Sequence, residues 1–387
     1  TSPAASKELY ELCYPKGFSP SGFTLHDVKW NEQAAQAQED EQDATVLWVK
    51  VPKLLPGQGG TLRMRCVILL PEVRHRLGRS DSVYMLGSAL PFPAQYTENG
   101  WETPPYLPVG DPPTPGLSNF TFTLSLPEGY ACAAPFVWQR QDSGLQEGSI
   151  LAARDVGLVI YKGAQVAQKM AGGILLQSFA QTAADAQKAL GYAAKTLASY
   201  QKQYGNYPWP VYTVAMADMP FAGMEYTGLI MVGRGQYQVE DSLEMTIAHE
   251  TAHQWFGMLV GSDPFYNAWQ DEAVCEYLSL AYVRDTYGAT AFEQLKFLMA
   301  DSPMRENIRE DITPGSPLDR FYTLEEYSTV VYGRGLALML ALETDMDLKA
   351  FLQNYCKQFA FSTATRQDFE RLLQQSAGWD TGPLMMD

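Results

Sequence analysis

The stretch "AHETAHQWF", Ala248 to Phe256, holds two of the four histidines in the chain and sets a glutamate beside the first. His249 and His253 are four residues apart, so on a helix their imidazoles leave from one face. That spacing can bring two nitrogens to about 2.0–2.1 Å from a single zinc ion. Glu250 then stands next to the ion, where it can take a proton from a bound water. A chance grouping on a helix is the competing reading. With so few histidines, chance supplies H-E-x-x-H in roughly a few per thousand chains of this length, and the metal reading prevails.

A catalytic zinc takes a third protein ligand and keeps one position open. The run "NAWQDEAVCEYLSLAYV", Asn267 to Val283, offers Glu272, separated from His253 by eighteen residues and carried by a second expected helix. Asp271 and Glu276 are rivals. Asp271 reads better as a group orienting a ligand, and Glu276 as a solvated or helix-pairing side chain.

Working outward, Asp241-Ser-Leu-Glu244 has the form of a capping box opening the histidine helix. Helical periodicity also covers 177–204, 267–284, 290–300, 332–343, 348–358 and 366–376. Upstream the texture differs. Residues 1–150 alternate in short runs such as "TLRMRCVILL" and "NFTFTLSLPEGY", split by turn-rich pieces such as "PVGDPPTPG". The acidic "NEQAAQAQEDEQD" reads as a solvated loop. The fold expected is therefore multi-domain, an all-β domain over 1–150 followed by an α+β domain over 151–387, as 387 residues favour.

A formal net charge of −16 argues against nucleic acid or anionic lipid as partners. No apolar run approaches the length of a membrane span, so the chain as given is expected to be soluble. The five cysteines are scattered and odd in number, so free thiols are expected rather than a disulfide framework. The chain opens on "TSPAASKELY" without an initiator Met, the form of an extracytoplasmic fragment whose signal or anchor has been removed. The Asn119-Phe-Thr121 sequon, His26 and His75 are not assigned to the site.

H-E-x-x-H, eighteen residues and then E within "WQDE" resembles the gluzincin metallopeptidases, and within them the aminopeptidase N-like zinc aminopeptidases. "FAGMEYTGLI" is similar to that family's G-x-M-E-N exopeptidase motif, and "EYSTVVYGRGLALMLALE" to its Y-x-K-G segment. The resemblance implies a thermolysin-like catalytic domain with one zinc per chain, held by His249, His253 and Glu272. It makes Glu250 the general base and Tyr332 the hydroxyl that donates to the oxyanion of the tetrahedral intermediate. Glu225, with Gly223 and Met224 on an edge strand, would bind the free N-terminus of a peptide substrate, Met224 mainly by packing. A thermolysin-type endopeptidase and a non-catalytic peptide-binding protein on the same fold are the alternatives.

Three departures from the family pattern stand out. Tyr226 replaces the usual asparagine, Arg334 replaces the usual lysine, and the chain stops soon after "FERLLQQSAGWD". Many relatives continue there into a helical domain that closes the cavity, so a more open cleft is expected.

Overall fold

The computed structural model describes residues 7, 10–97, 100–113, 115–142, 144–239, 241–379 and 381. The N-terminal part is built of β-sheet. β1 (Gly22–Trp30) pairs antiparallel with β2 (Leu62–Leu69), whose residues alternate between exposed and half-buried, as a one-sided sheet requires. β3 (Leu77–Arg79) and β4 (Val83–Leu86) form a hairpin. β5 (Ser118–Leu124) pairs with β7 (Gln146–Ala153), and β6 (Tyr130–Ala133) with β8 (Leu158–Lys162). β8 also pairs with β4, which carries the N-terminal sheet past residue 150. The expected acidic loop contains two short strands, Gln33–Ala34 and Ala37–Glu39, the second paired with Leu47–Val49.

The chain then builds a five-stranded mixed sheet from β9 (Gln165–Ala171), β10 (Ile174–Ala180), β11 (Val211–Ala217), β12 (Gly223–Tyr226) and β13 (Leu229–Gly233). Its spatial order is β9, β10, β11, β13, β12, with β10, β11 and β13 parallel and both outer strands antiparallel to their neighbours. β11, "VYTVAMA", is buried at every position, the pattern of a strand covered on both faces. One face receives α1 (Ala183–Tyr204), capped by Thr182 accepting from the Asp185 amide. That helix starts later than the periodicity suggested, because residues 174–180 are a strand. The other face packs on the N-terminal sheet: Val83, Met85, Val159 and Tyr161 meet Phe179, Met224, Tyr226 and Met231 in one apolar cluster.

α2 (Ser242–Ala252) lies against α1 and the sheet and is buried nearly all round. Tyr200 Oη donates to the Ala248 carbonyl at 3.0 Å, and Thr251 Oγ1 sits 2.7 Å from Tyr212 Oη. The expected capping box does not form. Asp241 adopts φ 64° with no side-chain cap, and Glu244 turns inward to accept from the Tyr282 and Tyr287 hydroxyls at 2.6 Å each. Those hydroxyls belong to α3 (Trp269–Tyr287), which is apolar on most faces and packs against α2. Two phenol hydroxyls, one from the buried Tyr282 and one from the exposed Tyr287, take the carboxylate in place of one amide at the helix start, and the helix forgoes its cap.

α4 (Ala289–Lys296) runs into a π-helical turn over 297–301. A second π-helical segment, Ser328–Arg334, precedes α5 (Gly335–Asp345), where regular α-helix was expected from Tyr332. α6 (Leu348–Phe359) and α7 (Arg366–Ala377) close the bundle. The buried Arg154 side chain ties three parts together, donating to the Met258 and Ser362 carbonyls at 3.0 and 2.7 Å and to Thr363 Oγ1 at 3.1 Å. The five cysteines are free thiols, as expected. No helix among the described residues is long and apolar enough to cross a membrane.

Candidate metal centre and substrate pocket

His249 comes from the last turn of α2, His253 follows its end, and Glu272 lies in the first turn of α3. Their tips converge. Nε2 of His253 lies 3.1 Å from Nε2 of His249, and Oε2 of Glu272 lies 3.2 Å from the first histidine and 3.4 Å from the second. Tetrahedral ligands at about 2.0–2.1 Å from zinc stand roughly 3.3–3.4 Å apart, so this triangle has the size a zinc ion needs. Nδ1 of His253 donates to the Phe256 carbonyl at 3.1 Å, which leaves the Nε2 lone pair facing the others. Two imidazoles and a carboxylate are the donor set that zinc takes, and the residues fit it. Burial opposes the charge on Glu272, yet His253 and His249 hold its carboxyl below the ordinary range.

The surrounding carboxylates sort themselves differently from the sequence expectation. Asp271 accepts from Ser262 Oγ at 2.7 Å and from the Glu272 amide at 3.0 Å, so it fixes the start of α3 and contacts neither histidine by hydrogen bond. Glu276, expected to be solvated or helix-pairing, is the group that faces a ligand. Its Oε1 is 3.4 Å from Nδ1 of His249, a buried nitrogen with no well-formed hydrogen bond. The reason is the helix itself: one turn beyond Glu272 points to the same side. Glu276→Gln is therefore expected to keep the fold and weaken zinc binding by about 10–100-fold, the usual effect of losing such a partner. Competition with a chromogenic chelator measures it, and an unchanged affinity would rule out an orienting role.

Glu250 projects beside the triangle, 5% exposed, with Oε2 lacking a hydrogen-bond partner. Its carboxylate lies over Gly223, where a Cβ would meet Oε1 at 2.2 Å, so the glycine leaves space for it. Burial pushes its carboxyl up to about 7. β12 is the edge strand of the mixed sheet, and Glu225 on it falls within 4.8 Å of both Glu250 and His253 through their ligand atoms. Burial raises the Glu225 carboxyl well above the ordinary carboxylate range.

Met224 and Tyr226, by the twofold alternation of a strand, point the other way into the cluster against the N-terminal sheet. Gly87 and Gly157 open the slot for the Tyr226 side chain: an added Cβ would lie 1.9 Å from its hydroxyl at Gly87 and 2.5 Å from its ring at Gly157. The tyrosine that replaces the family asparagine is thus a packing residue. Gln254, just after His253, closes the arrangement. Its Nε2 donates to the Tyr226 carbonyl at 3.1 Å and its Oε1 accepts from the Gly228 amide at 2.9 Å, tying the edge hairpin to the metal-binding helix.

Tyr332 enters from the π-helical segment, its ring stacked over His249 at 6.1 Å between centroids and 25° between planes. Tyr327 meets it edge-on at 5.6 Å, and its buried hydroxyl has no well-formed hydrogen bond among the described residues. Sequence reasoning missed Tyr327, although an i, i+5 pair of tyrosines just ahead of Gly333 was there to see. It also missed Arg76 and Asp111, which the N-terminal part contributes. Arg334 points elsewhere, donating to the Glu306 carbonyl at 3.3 Å. The site opens into a cavity of about 3090 Å³ lined from both halves of the chain.

An H-E-x-x-H helix, a glutamate ligand from the following long helix and a mixed sheet whose edge borders the metal define a thermolysin-like metallopeptidase of the gluzincin class. The chain belongs to peptidase family M1, whose domain matches residues 188–387. Among similar proteins, leukotriene A-4 hydrolase of Xenopus laevis is 28% identical over 211 residues, 51% of this chain and 33% of the relative. Probable aminopeptidase 2 of Sulfurisphaera tokodaii is 24% identical over 217 residues, 51% and 28%. Aminopeptidase M1-A of Oryza sativa subsp. japonica is 24% identical over 414 residues, covering 95% of this chain and 44% of that protein. The chain thus spans less than half the length of these relatives. The M1 zinc metallopeptidase of Deinococcus radiodurans shares the fold, with a TM-score of 0.68 at 18% identity over 95% of this chain and 84% of that one.

Proposed function

We propose that this chain is a zinc-dependent aminopeptidase that removes the first residue from peptides with a free N-terminus. In this reading His249, His253 and Glu272 hold one Zn²⁺. When bound, zinc polarises a carbonyl and acidifies a water, whose pKa falls from 15.7 toward about 7. Glu250 takes the proton of the attacking water and returns it to the leaving amine. Tyr332 donates to the developing oxyanion. Gly223 and Glu225 line the edge strand along which a peptide backbone can add as a further strand, with Met224 packing beneath. We place the division between an N-terminal β unit and the catalytic unit at the turn near Gly163, where β8 ends and the mixed sheet begins.

The observation that supports this most is the position of Glu225. Its carboxylate is half-buried, on an edge strand, beside Glu250 and His253. An internal peptide offers no cation there and would leave the carboxylate stranded. A free α-ammonium pairs with it in a charge-assisted hydrogen bond. A short peptide and its N-acetylated twin, compared in kcat/KM, test the reading. The free peptide is expected to be cleaved about 100-fold faster or more, the size of a lost hydrogen bond to a charged group. Equal rates would give the site to an endopeptidase, and no cleavage of either by zinc-loaded protein would leave a peptide-binding protein.

A further inference from the structure

Resting on the aminopeptidase reading, we infer that Gly333 is a positioning residue for Tyr332. With no side chain there, the chain over 297–306 closes on the π-helical segment and holds the Tyr332 ring over His249. Gly333 is buried where the two π-helical segments, Phe297–Asp301 and Ser328–Arg334, pack against each other. A Cβ added to Gly333 would lie 2.6 Å from Pro303 Cγ, closer still to Pro303 Cβ, and 3.4 Å from the Met299 carbonyl oxygen. A proline ring and a backbone carbonyl are stiff neighbours, so a side chain could enter only if one of the two segments moved.

The wall that Gly333 meets is itself fixed. The Ser302 amide donates to the Phe297 carbonyl at 2.8 Å, Lys296 pairs with Asp301 at 3.0 Å, and the Arg305 guanidinium lies over the Phe297 ring at 5.4 Å. Arg334 adds a tie to the same stretch through the Glu306 carbonyl. Two residues on, and so across the helical turn, Gly335 lies against α3. A Cβ there would be 2.7 Å from Cβ of Ala273, the residue after Glu272. The segment is thus clamped between a stiff wall and the helix that carries a metal ligand, and Tyr332 rides on it. A helix selected for its own stability is better served by alanine at 333, the stronger helix former. Glycine gives that up for close approach. The side chain it sets in place is its neighbour, Tyr332, whose hydroxyl is directed at Glu272.

Gly333→Ala tests this with two readouts on the zinc-loaded chain. One is kcat and KM on a free-amine dipeptide. The other is the Kd, by calorimetry, of a phosphinic dipeptide analogue whose phosphinyl oxygens imitate the tetrahedral intermediate. Misplacing a catalytic group by roughly 1 Å costs up to about 100-fold. The variant is expected to lose at least about tenfold in kcat and in affinity for the analogue, with zinc content and KM as in the wild type. Made in a Tyr332→Phe chain, the same substitution is expected to change either quantity by no more than about twofold, because no hydroxyl is left to misplace. A loss below about tenfold overturns the proposal, and so does an equal loss in both backgrounds, which would mean general damage to the fold. Should Gly333→Ala be recovered unfolded or without zinc, Pro303→Gly takes its place, removing the wall instead of filling the gap. It is expected to lower kcat at least about threefold in the wild type and not in the Tyr332→Phe chain, and any other pattern overturns the proposal. A wild type that cleaves no free-amine peptide sinks the aminopeptidase reading, and the Kd series then decides Gly333 by itself. A wild type that also fails to bind the analogue sinks both.

Discussion

Glu250→Gln is expected to bind zinc like the wild type and to hydrolyse peptides about 10³-fold more slowly. The substitution keeps the size of the side chain and one of its acceptor oxygens, and removes only the capacity to carry a proton. General acid–base catalysis by a positioned group contributes about 10²–10⁴ in rate. The structure places Glu250 where that contribution is concentrated. Its carboxylate is buried, stands over Gly223 with one oxygen unpartnered, and neighbours both histidines on the same helix without joining their triangle. A Gln amide cannot accept and return a proton, so the loss should appear in kcat with KM little changed. Elemental analysis of the purified variant and a kcat series on one peptide decide it. A variant within tenfold of wild type would take the proton-carrying role from Glu250, and a variant without zinc would make the loss uninformative about the base.

Much of this centre was legible in the sequence because it is local. Two histidines on one face of a helix and a glutamate on the next long helix are short-range patterns, and the metal chemistry demands those residue types at that spacing. Glu225 was legible only through its motif. Its use depends on β12 being the edge of a sheet, a fact of strand order that no local pattern carries. Other features lay beyond reach for the same reason.

Glu244 was expected to cap its helix, and long-range hydroxyls from Tyr282 and Tyr287 took it instead. Glu276 was visible at i+4 from Glu272. Its direction became evident only when α2 and α3 were packed together. Asp111 and Arg76 sit in loops without periodicity, and only tertiary folding brings them to the pocket. The all-β and helical textures of the two halves could be read directly. The strand β8 pairs with β4, more than seventy residues earlier, and so extends the N-terminal sheet past residue 150, a long-range contact that local texture does not carry.

Tyr332→Phe is expected to lower kcat by about 10²–10³, the range for removing one oxyanion donor, with zinc content and KM close to wild type. The argument rests on how the chain presents this ring. An α-helical Tyr332 would continue the register of α5, but the segment Ser328–Arg334 is wound as a π-helix. That winding adds a residue to the turn, a distortion that is uncommon and tends to occur at functional sites. Tyr327 and Tyr332, five apart, then fall on the same side, with Tyr332 stacked over His249 and Tyr327 against its edge. Burial pushes the Tyr332 hydroxyl well above its ordinary value, so it remains a donor at neutral pH. Phenylalanine keeps the ring, the stacking and the apolar surface, and the hydroxyl is the only group lost. A transition-state contact therefore predicts a fall in kcat and kcat/KM together, whereas a packing role predicts almost no change. Steady-state kinetics on a single free-amine peptide separates the two, and a Phe variant with wild-type kcat would return Tyr332 to the core.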